Sequence, residues 1–177
     1  MQQIKVEELR DRIGTLRAGD RIYLTGTVYT ARDAAHKRIM ALMEEGKPLP
    51  FPLEDAVIFY SGATPAPEGM AIGSCGPTTS CRMDPFTPLL YDKGVCATIG
   101  KGERSQEVTD AIVRNKAVYL CALGGAGALA AQRVTACDVI AFEDLGCEAV
   151  KRLCFREFPL TVGIDCQGNT VFQQTKE

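Results

Sequence analysis

The stretch that decides the fold runs from Val95 to Phe142 and reads VCATIGKGERSQEVTDAIVRNKAVYLCALGGAGALAAQRVTACDVIAF. It repeats one plan, in which a short apolar run is followed by a loop that contains glycine and then by a segment with helical periodicity. The plan predicts strands at 95–99, 117–123 and 137–142, and helices at 106–116 and 129–134. Strands that alternate with helices are typical of an α/β fold with a largely parallel sheet.

The remainder of the chain extends this pattern in both directions. Helices are predicted where apolar residues recur every three or four positions, and strands where β-branched and aromatic residues cluster. These criteria give a short helix over 9–16, a strand at 21–29, a helix over 32–45, strands at 56–60 and 70–74, a short helix over 85–94, and a C-terminal hairpin that pairs 160–165 with 170–172. Because no linker or low-complexity tract interrupts them, residues 1–177 are predicted to form a single domain.

Composition excludes several classes of protein. The 177 residues carry a net charge of −2, which favours neither a nucleic-acid partner nor an anionic membrane surface. The longest uncharged stretch, 117–131, is shorter than the roughly 20 residues that a membrane-spanning helix needs. The N-terminal segment has no apolar region of the secretory type, so a cytoplasmic location is expected.

Eight cysteines are present, and none of them forms a CxxC pair. Several lie inside apolar runs, where a thiol behaves as a small hydrophobic group. We therefore expect reduced thiols and no metal ligated by this chain. Cys81, beside Arg82, is the thiol expected to be most reactive.

Three loops are candidates for binding an anion: Gly76–Arg82, Gly100–Ser105 and Gly124–Ala128. In each, a predicted strand ends, glycines follow and a helix begins, so free backbone N–H groups and the positive end of the helix dipole face outward. Glycines at such turns are also common for purely structural reasons. None of the loops satisfies a P-loop or dinucleotide-binding motif.

Cationic residues accompany these junctions. Arg32 and His36 stand one helical turn apart, Arg82 ends one loop, and Lys101 and Arg104 lie in another. Arginine binds a carboxylate through two parallel hydrogen bonds, and lysine adds a compact charge, so the set is suited to a small dicarboxylate.

Each of these residues could instead have a purely structural role or be a solvent-exposed charge. The cations could be solvated charges at helix ends, and Arg82 could form an ion pair with Asp84 or another acid. The lone histidine could belong to the framework, and Thr78 and Thr79 could be turn residues.

Four segments together resemble the β subunit of class I fumarases and L(+)-tartrate dehydratases. They are LRAGDRIYLTGTVYTARDAAHKR (16–38), GPTTSCRMDPFTP (76–88), IGKGERS (99–105) and FEDLGCEAV with EFPL (142–160). The resemblance implies a swivelling β/β/α domain of three layers. It also implies a partner α subunit that holds a [4Fe-4S] cluster, which this domain covers while it binds the substrate.

The same resemblance assigns roles to individual residues. Arg32, Arg82 and Lys101 match the cations that bind the substrate carboxylates, and Thr78 matches the proposed base. The expected substrate-binding set is completed by His36, Thr79 and Arg104.

The implied activity is reversible hydration of a C4 dicarboxylate, fumarate to malate or L(+)-tartrate to oxaloacetate, in a complex with the α subunit. A homodimer is a further expectation. The alternative from another class is a non-catalytic module that binds dicarboxylates or supports assembly.

Overall fold

The computed structural model describes residues 1–123 and 127–172. The strands are β1 (Gln2–Lys5), β2 (Arg21–Thr30), β3 (Val57–Phe59), β4 (Ala97–Gly100), β5 (Val118–Cys121), β6 (Val134–Ala141) and β7 (Val150–Ile164). The α-helices are α1 (Val6–Arg12), α2 (Asp33–Glu44), α3 (Thr87–Asp92), α4 (Gln106–Asn115) and α5 (Gly127–Ala131). Short 3-10 helices lie at Ile13–Thr15, Ser80–Met83 and Glu143–Glu148. In the part of the chain described, no helix is long and apolar enough to cross a membrane.

The strands form one sheet in the order β1-β2-β3-β4-β5-β7-β6. Neighbours from β1 to β5 are parallel, whereas β7 runs antiparallel to β5, β6 and β2. Since β7 pairs with both β5 and β2, the pairings of β2, β3, β4, β5 and β7 close into a ring. The α/β class is confirmed, and the parallel arrangement is right for β1–β5 only.

Two apolar cores pack on opposite faces of the sheet, and its central strands are therefore buried on both sides. In β3, Val57 and Phe59 point into one core, while Ile58 enters the other. The first core includes Leu9 and Ile13 of the N-terminal helical segment, and the second includes residues of α2, α3 and α4. A strand with both faces buried is typical of a parallel sheet.

Some predicted elements differ from the structure. Residues 70–74 form no strand, because the bonds of this segment go to the preceding loop, where Ser74 N donates to Thr64 Oγ1 at 2.8 Å. The predicted C-terminal hairpin is present but short: its first strand is the end of the long β7, and Thr170 pairs with Ile164 in a single antiparallel bridge. Most of the loop Gly124–Ala128 lies outside the described residues.

Candidate active site

The candidate site lies where the parallel strands β2, β3 and β4 end. Arg32 follows β2 by two residues, Tyr60 follows β3, and Lys101 follows β4 directly. Backbone hydrogen bonds hold these ends side by side, with Ala31 N donating to Phe59 O at 3.1 Å and Tyr60 N to Ile99 O at 2.8 Å. The carboxyl ends of parallel strands are where α/β folds commonly bind ligands, in open sheets and in closed barrels alike.

The segment that carries Thr78 is added to this edge as a short extension. Thr78 N donates to Tyr60 O at 2.6 Å, and Ser80 N donates to Lys101 O at 2.9 Å. Thr79 and Lys101 form a parallel bridge. A Cβ at Gly100 would collide with Ser80 Oγ, which explains the glycine at the end of β4. The structure therefore brings Thr78, which is half-buried, and the exposed Thr79 next to Lys101.

Arg82 joins the Thr78 segment to the start of α2. Its Nη2 donates to Asp33 Oδ2 at 2.8 Å, so the acid that pairs with Arg82 is Asp33. About half of the Arg82 side chain is exposed. Exposed ion pairs contribute roughly 0–1 kcal/mol, so a second carboxylate can compete for this guanidinium at little cost.

Arg32 lies at the N-cap of α2 with its side chain about three-quarters buried. Its stem passes over Gly62, where an added Cβ would come within 3.0 Å of both Arg32 Cδ and Nη1. Its Nε is 3.9 Å from Glu148 Oε1, which is a salt bridge by distance but too long for a hydrogen bond.

His36 is completely buried in the first turns of α2. Its Nδ1 is 2.8 Å from Arg32 O, and because a carbonyl only accepts, Nδ1 carries the proton. Burial lowers the pKa of His36 to about 4, an effect that Arg104 reinforces and that the bond to Arg32 and the charge of Asp33 oppose. His36 is therefore neutral at pH 7 and holds the Arg32 backbone. Direct contact with substrate stays a prediction for Nε2.

Arg104 does not face the site, and its predicted role in binding substrate is wrong for this geometry. Its side chain is fully buried, with Nε donating to Asp84 Oδ1 at 2.7 Å. The terminal nitrogens donate to the hydroxyls of Thr98 at 3.1 Å, Tyr60 at 3.1 Å and Thr87 at 2.9 Å. With every nitrogen bonded inside the protein, Arg104 belongs to the framework rather than to the ligand-binding surface.

This framework ties together the two loops that carry Thr78 and Lys101. Asp84 also accepts a hydrogen bond from the N–H of Ser105, the N-cap residue of α4, at 2.7 Å. Tyr119 adds a second link, because its hydroxyl donates to Gly102 O and accepts a hydrogen bond from Ser80 Oγ, each at 2.8 Å. The positions of the two loops are thus fixed relative to each other.

Sequence reasoning allowed for an acid at Arg82 but missed the acidic partners of Arg32 and Arg104. Asp33 and Asp84 lie close to Arg32 and Arg82 in sequence, yet each pairs with a different arginine, so sequence proximity did not indicate the pairing. Glu148 stands inside FEDLGCEAV, a segment that carried the resemblance without a residue role.

The cysteines are all free thiols. Cys81 and Cys147 are exposed, whereas burial raises the pKa of Cys75 to about 11 and that of Cys96 to about 12. Within residues 1–123 and 127–172, no three side chains of His, Cys, Asp or Glu are grouped so that they could hold a metal ion.

Comparison with known proteins identifies relatives along almost the whole chain. The family described as Fumarase C-terminus matches residues 1–175. Fumarate hydratase 2 of Leishmania major is 37% identical over 172 residues, which cover 96% of this chain and 30% of that protein. The L(+)-tartrate dehydratase subunit beta of Escherichia coli is 34% identical over 179 residues, with 98% of this chain and 86% of that protein covered. A putative L(+)-tartrate dehydratase subunit beta of Methanocaldococcus jannaschii is 35% identical over 168 residues, with 92% and 86% covered.

These relatives confirm the resemblance to tartrate dehydratase β subunits and class I fumarate hydratases. The chain spans about 30% of the length of the fumarate hydratases that it matches and 86% of the tartrate dehydratase subunits. By both the family match and the identity over nearly its whole length, the chain belongs to the fumarase C-terminus family.

Proposed function

We propose that this chain is the β subunit of an iron–sulfur-dependent hydro-lyase that interconverts fumarate and malate, or L(+)-tartrate and oxaloacetate. Its main support is the position of Arg32 and Lys101 at the carboxyl ends of β2 and β4, with Thr78 on the segment bonded to this edge and Arg82 tied to the start of α2 through Asp33. The names of the relatives, which are fumarate hydratases and tartrate dehydratase β subunits, support the same reaction class.

The three cations have a clear chemical task in such a reaction. A dicarboxylate needs a cation near each of its ends, and arginine binds a carboxylate through two bonds at once. When the carbon beside a carboxylate loses its proton, negative charge grows on that carboxylate. Cations that are already held in place stabilise this charge without having to rearrange, which is how such groups lower a barrier. The backbones of Arg32 and Lys101 are held in this way, since their carbonyls accept hydrogen bonds from His36 N and Ser80 N.

Thr78 is the proposed base that takes the proton from the carbon beside the carboxylate. A threonine hydroxyl does so only where nearby cations and dipoles stabilise its anion. Thr78 is half-buried and stands next to Lys101 through the bridge of Thr79, and Arg82 lies one 3-10 turn further along. These neighbours supply the positive surroundings that the role requires.

The [4Fe-4S] cluster that the resemblance implies does not fit the residues of this chain. In the described residues no set of three ligands is present, although all eight cysteines fall within them. As the resemblance implies, we propose that a partner α subunit holds the cluster and that this chain binds the dicarboxylate; the β-subunit names of the tartrate dehydratase relatives support such a partner. The swivelling three-layer arrangement, a homodimer and a cytoplasmic location complete the proposal.

The test is anaerobic co-expression with an α subunit, followed by assays on fumarate, malate and both tartrate isomers. Arg82→Ala and Lys101→Ala should raise KM and lower kcat/KM by roughly 10- to 150-fold, since each removes a charged hydrogen bond worth about 1.5–3 kcal/mol. Thr78→Ala should lower kcat by about 10²- to 10⁴-fold with KM nearly unchanged, because a base acts mainly in the transition state.

Arg114→Ala is the matched control, because Arg114 forms an exposed ion pair with Asp92 away from the strand ends. It should leave both kinetic constants unchanged. A complex that binds dicarboxylates but converts none of them would establish the non-catalytic alternative. Near-normal kcat in Thr78→Ala would show that the proton is handled by another group.

A further inference from the structure

Unpaired polar atoms are concentrated around Arg32. In the described residues, the buried side-chain nitrogen and oxygen atoms without a hydrogen-bond partner are Arg32 Nε, His36 Nε2 and Glu148 Oε1. Two of the three face each other, because Nε of Arg32 is 3.9 Å from Oε1 of Glu148. A charged hydrogen bond between them needs about 2.7–2.9 Å, so a closure of about 1 Å would satisfy both atoms.

Glu148 is held beside Arg32 by the backbone. It ends the 3-10 helix that leads into β7, and the next residues are bonded to the end of β2. Thr30 Oγ1 accepts a hydrogen bond from Lys151 N at 3.0 Å and donates to Ala149 O at 3.4 Å. Because Thr30 precedes Arg32 by two residues, these bonds hold Glu148 beside Arg32.

Arg32 itself is constrained up to its guanidinium. Its carbonyl is held by His36, and its stem lies against Gly62. The remaining freedom is the direction in which the planar guanidinium faces. A carboxylate on the Nε side fixes that plane and leaves the two terminal nitrogens to bind a second carboxylate.

Glu148 is not needed to attach the 3-10 helix to α2, because another ion pair already links the two. Arg38 of α2 binds Asp144 of the same 3-10 helix through both of its terminal nitrogens. That pair is open to solvent, with 41% and 65% of the two side chains exposed, whereas the facing atoms of Arg32 and Glu148 are buried. The two pairs link the same elements but in different surroundings.

We propose that Glu148 is a positioning residue for Arg32, which it orients so that the terminal nitrogens of the guanidinium meet the substrate carboxylate. The inference rests on the proposed function, since it assigns a residue that acts through a substrate-binding arginine. Glu148 itself does not touch the substrate. Its loss leaves Arg32 charged but incorrectly oriented.

The experiment is a double-mutant cycle in the complex assembled anaerobically with an α subunit. Glu148→Gln, which keeps the shape of the side chain, should raise KM about tenfold, the lower end of the cost of a charged hydrogen bond, with a smaller change in kcat. In an Arg32→Ala background, Glu148→Gln should cause no further loss, because the group it orients is gone. Asp144→Asn, the control on the same 3-10 helix, should leave KM unchanged.

Several outcomes would overturn the inference. It fails if Glu148→Gln leaves KM unchanged, if it lowers kcat/KM equally with and without Arg32, or if Asp144→Asn has the same effect. Thermal unfolding of each variant separates a change in stability from a change in KM. A wild-type complex that converts no C4 dicarboxylate would instead refute the proposed function, and this inference with it.

Discussion

Replacing Arg104 by alanine should destabilise the domain strongly. The side chain is fully buried, and its Nε is 2.7 Å from Asp84 Oδ1, on a carboxylate that is 11% exposed. The variant leaves Asp84 with the backbone N–H of Ser105 but without its counter-ion. It also removes the donors to three buried hydroxyls.

Removing one partner of a buried ion pair costs about 3–5 kcal/mol, because the other charge stays buried without compensation. For a domain of 150–250 residues, each 1 kcal/mol lowers Tm by roughly 2–4 °C, so the expected loss is about 6–20 °C. A domain typically has about 5–15 kcal/mol of stability in total. Arg104→Ala should therefore still fold, with a smaller free energy of unfolding than wild type.

Thermal and urea unfolding of the isolated chain, followed by circular dichroism, measure the effect. Arg114→Ala is the comparison, since its pair with Asp92 is 53% and 40% exposed and should contribute only about 0–1 kcal/mol. If the free energies of unfolding of the two variants lie within about 1 kcal/mol of each other, the buried network around Arg104 does not stabilise the domain as described.

Two further measurements test which side chains are buried and which are exposed. His36 is the only histidine, and its pKa of about 4 lies below the ordinary value of 6.5, so the unfolded chain binds a proton that the folded chain does not. Stability should be fully present above about pH 6.5 and fall towards pH 4, with about 2 kcal/mol lost between pH 7 and pH 5. Urea unfolding at both pH values should show this loss in wild type and not in His36→Gln; an equal loss in both would contradict the assignment. With a thiol reagent such as DTNB, the exposed Cys81 and Cys147 should react first in the folded chain. Serine at both positions should remove the fast phase, and an unchanged fast phase would show that other thiols are accessible.

The core of the fold was predictable from sequence because its signals are local. The strands β2 to β5 and the helices α2 and α4 were all predicted, since each is an uninterrupted run of the expected periodicity. β7 was predicted only at its end. Its sequence contains Pro159, and Glu157 adopts a positive φ of 49° where the pairing with β2 shifts register. Such a bulge breaks the alternation by which a strand is recognised.

The site was predictable in part for a similar reason. Positively charged residues near predicted strand ends can be identified from the sequence alone. The topology brings Arg32, Lys101 and Thr78 to one edge of the sheet. Their acidic partners cannot be read in this way, since Glu148 lies 116 positions from Arg32. The burial of Arg104 depends on Asp84, 20 positions away, and on Tyr60 after β3 and Tyr119 in β5.

The attachment of residues 78–84 to the strand ends has a consequence for the choice of substrate. Thr78 and Ser80 are bonded to Tyr60 and Lys101 through the backbone, and Asp84 is bonded to the buried Arg104. The backbones beneath Lys101 and Arg82 are thereby joined and cannot separate as one ligand replaces another. In the proposed site the two backbone anchors therefore keep one spacing, and a dianion of another length has to be accommodated by the side chains of Lys101 and Arg82 alone. Dicarboxylates longer or shorter than the proposed C4 substrate should bind more weakly for this reason.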